Sequence, residues 1–169
     1  MATVKHKDQR VGIFIDTQNL YHTAKNLYKR KVNFGNVVKD VLAGRKLVRA
    51  IAYAITTESE DEKGFLGALT KAGIEPKVKD LQIFYDGSKK ADWDVGLAID
   101  IVAMAPKLDA VIIVSGDGDF VPVVEYLRYH HGIQVEAATF GKSASASLKA
   151  SVDDFFDLSD APKKYLLGY

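Results

Sequence analysis

The chain has 169 residues, 47% of them hydrophobic, a net charge of +1 and no cysteine. That length predicts one domain with a core of its own. The absence of cysteine excludes disulfides, thiolate metal sites and cysteine nucleophiles, and the near-zero charge excludes a global polyanion-attracting field, so a nucleic-acid partner would need a local basic patch. No apolar run is long enough to span a bilayer and the first ten residues have no apolar signal core, so the expectation is a cytoplasmic protein without a membrane partner.

Residues 1–9 read as a flexible N-terminal tail. Arg10 to Asp16 reads as a strand that ends in a carboxylate. A helix follows, its stripe made by Leu20, Ala24, Leu27 and Tyr28. Asn33 is the expected N-cap of a second helix carrying Val37, Val38, Val41 and Leu42, stopped at Gly44. Lys46–Thr56 is the second strand. Glu58 to Ala72 is helical, with Phe65, Leu66 and Leu69 inward and Gly73 as terminator. Ile74 to Tyr85 is strand-like but interrupted by Pro76 and charges, which suits an edge or bent strand. Asp86–Lys90 is a polar loop. The helix from Ala91 to Ala105 starts acidic and turns apolar, and Pro106 ends it.

The stretch Val111-Ile-Ile-Val-Ser115-Gly-Asp117-Gly-Asp119-Phe120 is the anchor of the chain. A β-branched run reads as a buried strand, and two glycines in the next five positions predict a sharp turn at its end. That turn carries two carboxylates at the edge where open α/β sheets bind ligands. A helix cap explains Asp119 but not Asp117. Further on come a helix from Phe120 to about His131, a strand over 133–140, a short helix over 143–152 and a last strand over 155–158. Residues 159–169 read as a C-terminal tail. Its end, Tyr165-Leu-Leu-Gly-Tyr169, is apolar, so docking on its own domain or on a second copy, hence a homo-oligomer, stays open.

Strands alternating with helices imply a mostly parallel sheet covered on both faces. Asp16, Asp117 and Asp119 then lie on one edge. Asp94, near the start of the helix entering the fourth strand, joins them if the first and fourth strands are neighbours. Asp100 lies about 240° around the helix from Asp94 and is at most a supporting residue. Each carboxylate pair at about 4 Å costs on the order of 4 kcal/mol at an effective dielectric near 20. Protonation, a lysine such as Lys89 or Lys90, or a hard divalent cation has to offset that. All-oxygen donors fit Mg²⁺ or Mn²⁺ best, and a water on such an ion is a nucleophile toward phosphorus. The histidines show no ligand spacing. The basic clusters at Lys25-Lys29-Arg30-Lys31, Arg45-Lys46, Lys77-Lys79 and Lys89-Lys90 read as solvated faces for the most part.

Three segments together resemble the NYN domain of the PIN-like nuclease superfamily, most nearly its bacterial LabA-like branch. They are Phe14-Ile-Asp16-Thr-Gln-Asn19-Leu20, Lys90-Ala-Asp-Trp-Asp94-Val-Gly-Leu-Ala-Ile-Asp100 and Ser115-Gly-Asp117-Gly-Asp119-Phe-Val-Pro-Val. The resemblance spans residues 10–158. It implies a three-layer α/β/α sandwich, Rossmann-like, with strand order 3-2-1-4-5, which sets the first and fourth strands side by side. It also implies a Mg²⁺- or Mn²⁺-dependent ribonuclease. Asp16, Asp94, Asp117 and Asp119 would be its metal-binding catalytic acids, with Asn19 and Ser115 in support and RNA as partner. Lys89, Lys90 and Trp93 would meet the substrate, Trp93 either stacking a base or packed against a loop. The Lys-Ala-Asp-Trp-Asp register departs by one residue from the family's usual Lys-Gly-x-Asp, so Asp92 competes with Asp94 for the ligand role. Two alternatives stand beside the nuclease: an RNA-binding module with a vestigial pocket, and another phosphoryl-transfer hydrolase on a similar fold.

Overall fold

A computed structural model describes residues 3–56, 59–87, 89–90 and 92–169, without the side chains of residues 82, 89 and 90. The parallel sheet is built from β1 (Arg10–Asp16), β2 (Lys46–Thr56), β3 (Glu75–Asp80), β6 (Ala110–Val114), β7 (Gln134–Thr139) and β8 (Asp154–Asp157). Its order is β3-β2-β1-β6-β7-β8, so the first and fourth long strands are hydrogen-bonded neighbours. The expected order holds, with the sixth strand extending it at one edge.

β6 is apolar at every position and β1 at every position between Arg10 and Asp16, because both their faces are covered. Val11, Ile13 and Ile15 of β1 and Ala110, Ile112 and Val114 of β6 face one layer. Phe14, Val111 and Ile113 face the other. The first layer consists of α1 (Thr17–Tyr28), α2 (Phe34–Leu42) and α3 (Glu60–Lys71), packed through residues such as Leu20, Val37 and Leu69. The second consists of α4 (Asp94–Met104), α5 (Val121–His131) and α6 (Ala146–Ser151), packed through Leu97, Ile101, Val124 and Leu148. Burying an aliphatic side chain of this size is worth about 1.5–3 kcal/mol, so these two clusters are the main source of stability.

Local signals set the helix ends. The Asn33 side chain accepts from Asn36 N, capping α2. Gly132 stops α5 at φ +63°, a conformation costly for side chains other than glycine. At the edge, β3 carries Pro76 and alternating charges, a composition that discourages further pairing.

Two readings of the sequence are corrected. The strand-like stretch beyond residue 80 and the polar loop after it fold together as a short antiparallel hairpin. Its strands are β4 (Gln82–Ile83) and β5 (Lys89–Lys90), and its turn is closed by Gly87 N donating to Phe84 O. The C-terminal segment is no loose tail either. Helix α7 (Pro162–Tyr165) and Leu166 dock on their own domain. Tyr165 and Leu166 are buried, Tyr165 Oη donates to Asp40 at 2.7 Å, and Asn33 N donates to Tyr165 O at 2.8 Å. The N-terminal segment is tied down through Lys5, which meets Asp154 at 2.9 Å. Among the described residues no helix is long and apolar enough to cross a membrane.

Candidate metal centre

The site lies at the carboxyl edge of the sheet, where β1 and β6 end side by side. Asp16 is the last residue of β1 and also the N-cap of α1, its Oδ1 accepting from Asn19 N at 3.2 Å. Ser115 follows β6 and is fully buried. Its hydroxyl donates to Asp16 Oδ2 at 3.1 Å and accepts from Asp117 N at 3.2 Å, linking the two strand ends. Asn19 closes the link from the other side, its Oδ1 accepting from Gly116 N at 3.0 Å. Gly116 has to be glycine for space: a Cβ there would lie 3.0 Å from Ala144 Cα and 3.1 Å from Thr139 Cγ2. Ser145 N donates to Gly116 O at 2.9 Å and braces the same turn.

Asp94 is the first residue of α4 and arrives from the third segment, its N–H donating to Asp92 Oδ1 at 3.3 Å. The loop before it is held at two points. Trp93 Nε1 donates to Ala54 O at 2.8 Å, and Lys79 Nζ donates to Asp92 O at 2.8 Å while lying 5.0 Å from the centre of the Trp93 ring system. Trp93 also packs edge-on against Tyr53. The indole therefore fastens the loop to β2 and β3.

Carboxylate oxygens of Asp16, Asp94 and Asp117 lie within 4.8 Å of one another. Among the described residues, none of the three has a cationic partner within ion-pair distance. Burial pushes Asp94 up to about 7, helped by the charges of Asp117, Asp16 and Asp92. Asp16 is also raised, mainly by burial, although the Asn19 and Ser115 hydrogen bonds pull against it. Three half-buried acids with only oxygen donors and, among the described residues, no counter-charge fit a hard divalent cation.

The other residues singled out from sequence lie elsewhere. Asp119 is exposed and stands outside the group of three, because Asp117 Oδ1 accepts Asp119 N–H at 2.9 Å and turns the chain over residues 118–120. Asp92 stands outside the group and accepts from the Asp94 N–H instead. Asp100 faces away, accepting from Tyr53 Oη at 2.8 Å and pairing with Lys77 at 2.6 Å. Burial alone would raise Asp100, but Lys77 and Tyr53 outweigh it and hold the carboxyl low. The side chains of Lys89 and Lys90 lie outside the described residues. Sequence reasoning missed Tyr53 and Lys77, whose shared face follows only from the pairing of β2 with β3.

A parallel α/β sandwich with three convergent aspartates at its β1–β6 edge is the architecture of a PIN-like nuclease superfamily protein. The NYN domain model matches residues 10–159, and the chain belongs to that family. It is 28% identical over 165 residues to the low amplitude and bright protein LabA of Synechococcus elongatus, covering 91% of this chain and 86% of that one. A crystal structure of a protein of unknown function from Vibrio parahaemolyticus has a TM-score of 0.87 at 30% identity, over 98% of this chain and 100% of that one.

Proposed function

We propose that the protein is a divalent-metal-dependent ribonuclease, with Mg²⁺ or Mn²⁺ held by Asp16, Asp94 and Asp117. The observation that carries this is the meeting of three carboxylates from three distant segments, with no cation within ion-pair distance among the described residues. Bound there, the ion would supply charge neutralisation at the scissile phosphate and a more acidic water for attack on phosphorus. Ser115 and Asn19 hold Asp16 and the 115–119 turn in a fixed relation, which lowers the reorganisation needed on binding. Asp119, exposed beside the group of three, would support the bound ion from outside that group, and Lys89 and Lys90 would be the residues to meet substrate phosphates. Trp93 serves as a positioning residue for Asp94 rather than as a base-stacking platform, since its indole N–H and one face are already engaged.

The test is cleavage of a labelled single-stranded RNA by purified protein with Mn²⁺ or Mg²⁺. Asp16→Asn, Asp94→Asn and Asp117→Asn are expected to abolish product formation while remaining folded. Undiminished cleavage by Asp117→Asn, or in excess EDTA, would overturn the reading. Turnover of small phosphomonoesters without RNA cleavage would point to the other hydrolase class.

A further inference from the structure

Residues 17–39 hold five basic side chains and no acidic one, in a chain whose net charge is only +1. This local excess sits on and after the helix that Asp16 caps. At about 100° per residue, Gln18, Tyr21, His22, Lys25 and Lys29 fall within roughly a third of a turn of one another. Leu20 and Ala24, on the opposite side of α1, are fully buried. The stripe starts within a turn of Asp16 and runs on the order of 16 Å along α1 at 1.5 Å per residue.

Aromatic rings alternate with the cations. Tyr21 is 46% exposed, with Lys25 Nζ 5.7 Å from its ring centre and His22 edge-on at 5.3 Å. Past the end of α1, Tyr169 is 60% exposed with the Arg30 guanidinium 3.8 Å over its ring and Lys163 5.8 Å away. Arg30 also donates to the carbonyls of Gly168 and Leu167, so the docked C-terminus is part of this surface. Among the described residues Lys25, Lys29, Lys31 and Lys163 enter no ion pair. On β2 and β3 the cations are already spent: Arg49 on Glu75, Lys77 on Asp100 and Lys79 on a backbone carbonyl.

We infer that the outer face of α1 and the turn after it, through Tyr21, Lys25, Lys29 and Lys31, are a docking track for single-stranded nucleic acid leading to the rim at Asp16. Unpaired cations displace counterions from a phosphate backbone, and exposed rings stack bases whatever their sequence. The positive end of the α1 dipole points to the rim and favours the arriving phosphate. The destination of the strand rests on the nuclease reading; the binding does not.

The test is fluorescence anisotropy of a labelled single-stranded RNA oligonucleotide in EDTA, so that no cleavage is required, between about 50 and 200 mM salt. Lys25→Glu/Lys29→Asn/Lys31→Glu is expected to weaken binding at least about tenfold and to flatten the salt dependence by roughly two in log–log slope. Asparagine is chosen at position 29 because the backbone there has φ +57°. Tyr21→Ala is expected to weaken binding by about tenfold without changing the slope. Lys77→Gln should bind as wild type, and matched melting temperatures exclude misfolding. An unchanged affinity and slope in the triple variant overturns the track. So does wild-type protein that ignores RNA and binds phosphatidylserine vesicles instead. Loss of RNA binding in the triple variant, with no cleavage by wild type in Mn²⁺, leaves the track standing and removes the nuclease.

Discussion

Asp94→Asn removes one charge from the rim while keeping the side chain's shape, and it separates charge crowding from packing. An ordinary aspartate titrates near 3.8, whereas Asp94 is pushed up to about 7 by burial and by its acidic neighbours. A group with a raised folded-state value stabilises the fold fully below its unfolded value and loses that contribution as pH rises through the folded one. Metal-free wild type should therefore lose stability relative to the variant between about pH 4 and 7, with a constant deficit above that. At about 1.4 kcal/mol per tenfold step the full effect would be roughly 4 kcal/mol, which solvent screening of a half-buried group cuts to about 2. For a domain of this size that corresponds to a melting point about 4–8 °C higher in the variant at pH 8. The assay is thermal denaturation in EDTA across the pH range, repeated with Mn²⁺. An ion at about a hundred times its Kd adds about 2.7 kcal/mol to wild type, and the variant should gain much less. If the variant is no more stable than wild type in EDTA at pH 8, or the gap fails to close toward pH 5, the repulsion account of the rim is wrong.

Glu136→Gln leaves the fully buried Arg45 guanidinium against a neutral amide, and should cost about 3 kcal/mol in urea denaturation. Gly116→Val forces a side chain against Ala144 and Thr139, and should cost about 2 kcal/mol and reduce cleavage even where the protein stays folded. Deleting residues 162–169 uncovers the surface under Tyr165 and Leu166, and should lower stability by about 4 kcal/mol, read as a drop in melting point. Trp93 is the sole tryptophan, so its emission reports the loop that carries Asp94. Lys79→Met should shift that emission to the red and raise the Mn²⁺ concentration needed to saturate it; an unchanged titration would refute the positioning role of Lys79.

Much of this architecture is readable from pattern. The bounds of β1 and β2 coincide with the stretches Arg10–Asp16 and Lys46–Thr56, because each carries a buried apolar run, Val11–Ile15 and Ala50–Ala54, flanked by polar residues. Asn33 and Gly132 mark helix ends for local reasons that need no tertiary context. The strand order follows from the family resemblance, not from periodicity. What stays hidden depends on register or docking. Whether Tyr53, Lys77 and Asp100 meet depends on the pairing of Tyr53 with Lys77 across β2 and β3. The hairpin at 82–90 has two-residue strands, too short to show alternation. The fate of Tyr165 is decided by Asp40, 125 residues away. Asp117 and Asp119 are assigned to the same edge from the sequence, yet the Asp117 carboxylate accepts the Asp119 N–H and the two end in different surroundings.

The three acids at the rim are not interchangeable. Asp16 receives hydrogen bonds from Asn19 and Ser115, which pull against the burial that raises it, and Asp117 receives one from the backbone of Asp119. The forces on Asp94 all favour its protonated form, and its neighbours in the chain fix its backbone without neutralising its charge. A divalent ion gains most from the acid with the least internal compensation, so Asp94 should control how metal affinity depends on pH. Asp16 and Asp117 then form a preset half-site that β1 and β6 assemble during folding, and Asp94 closes it from the end of α4. Asp94→Asn should weaken Mn²⁺ binding and remove most of its rise between about pH 6 and 8. Asp16→Asn should weaken binding but keep that rise, because Asp94 still titrates beside Asp117. Metal titrations of the two variants at both ends of that range decide the point, and an equal pH response in both would show that the triad titrates as one unit.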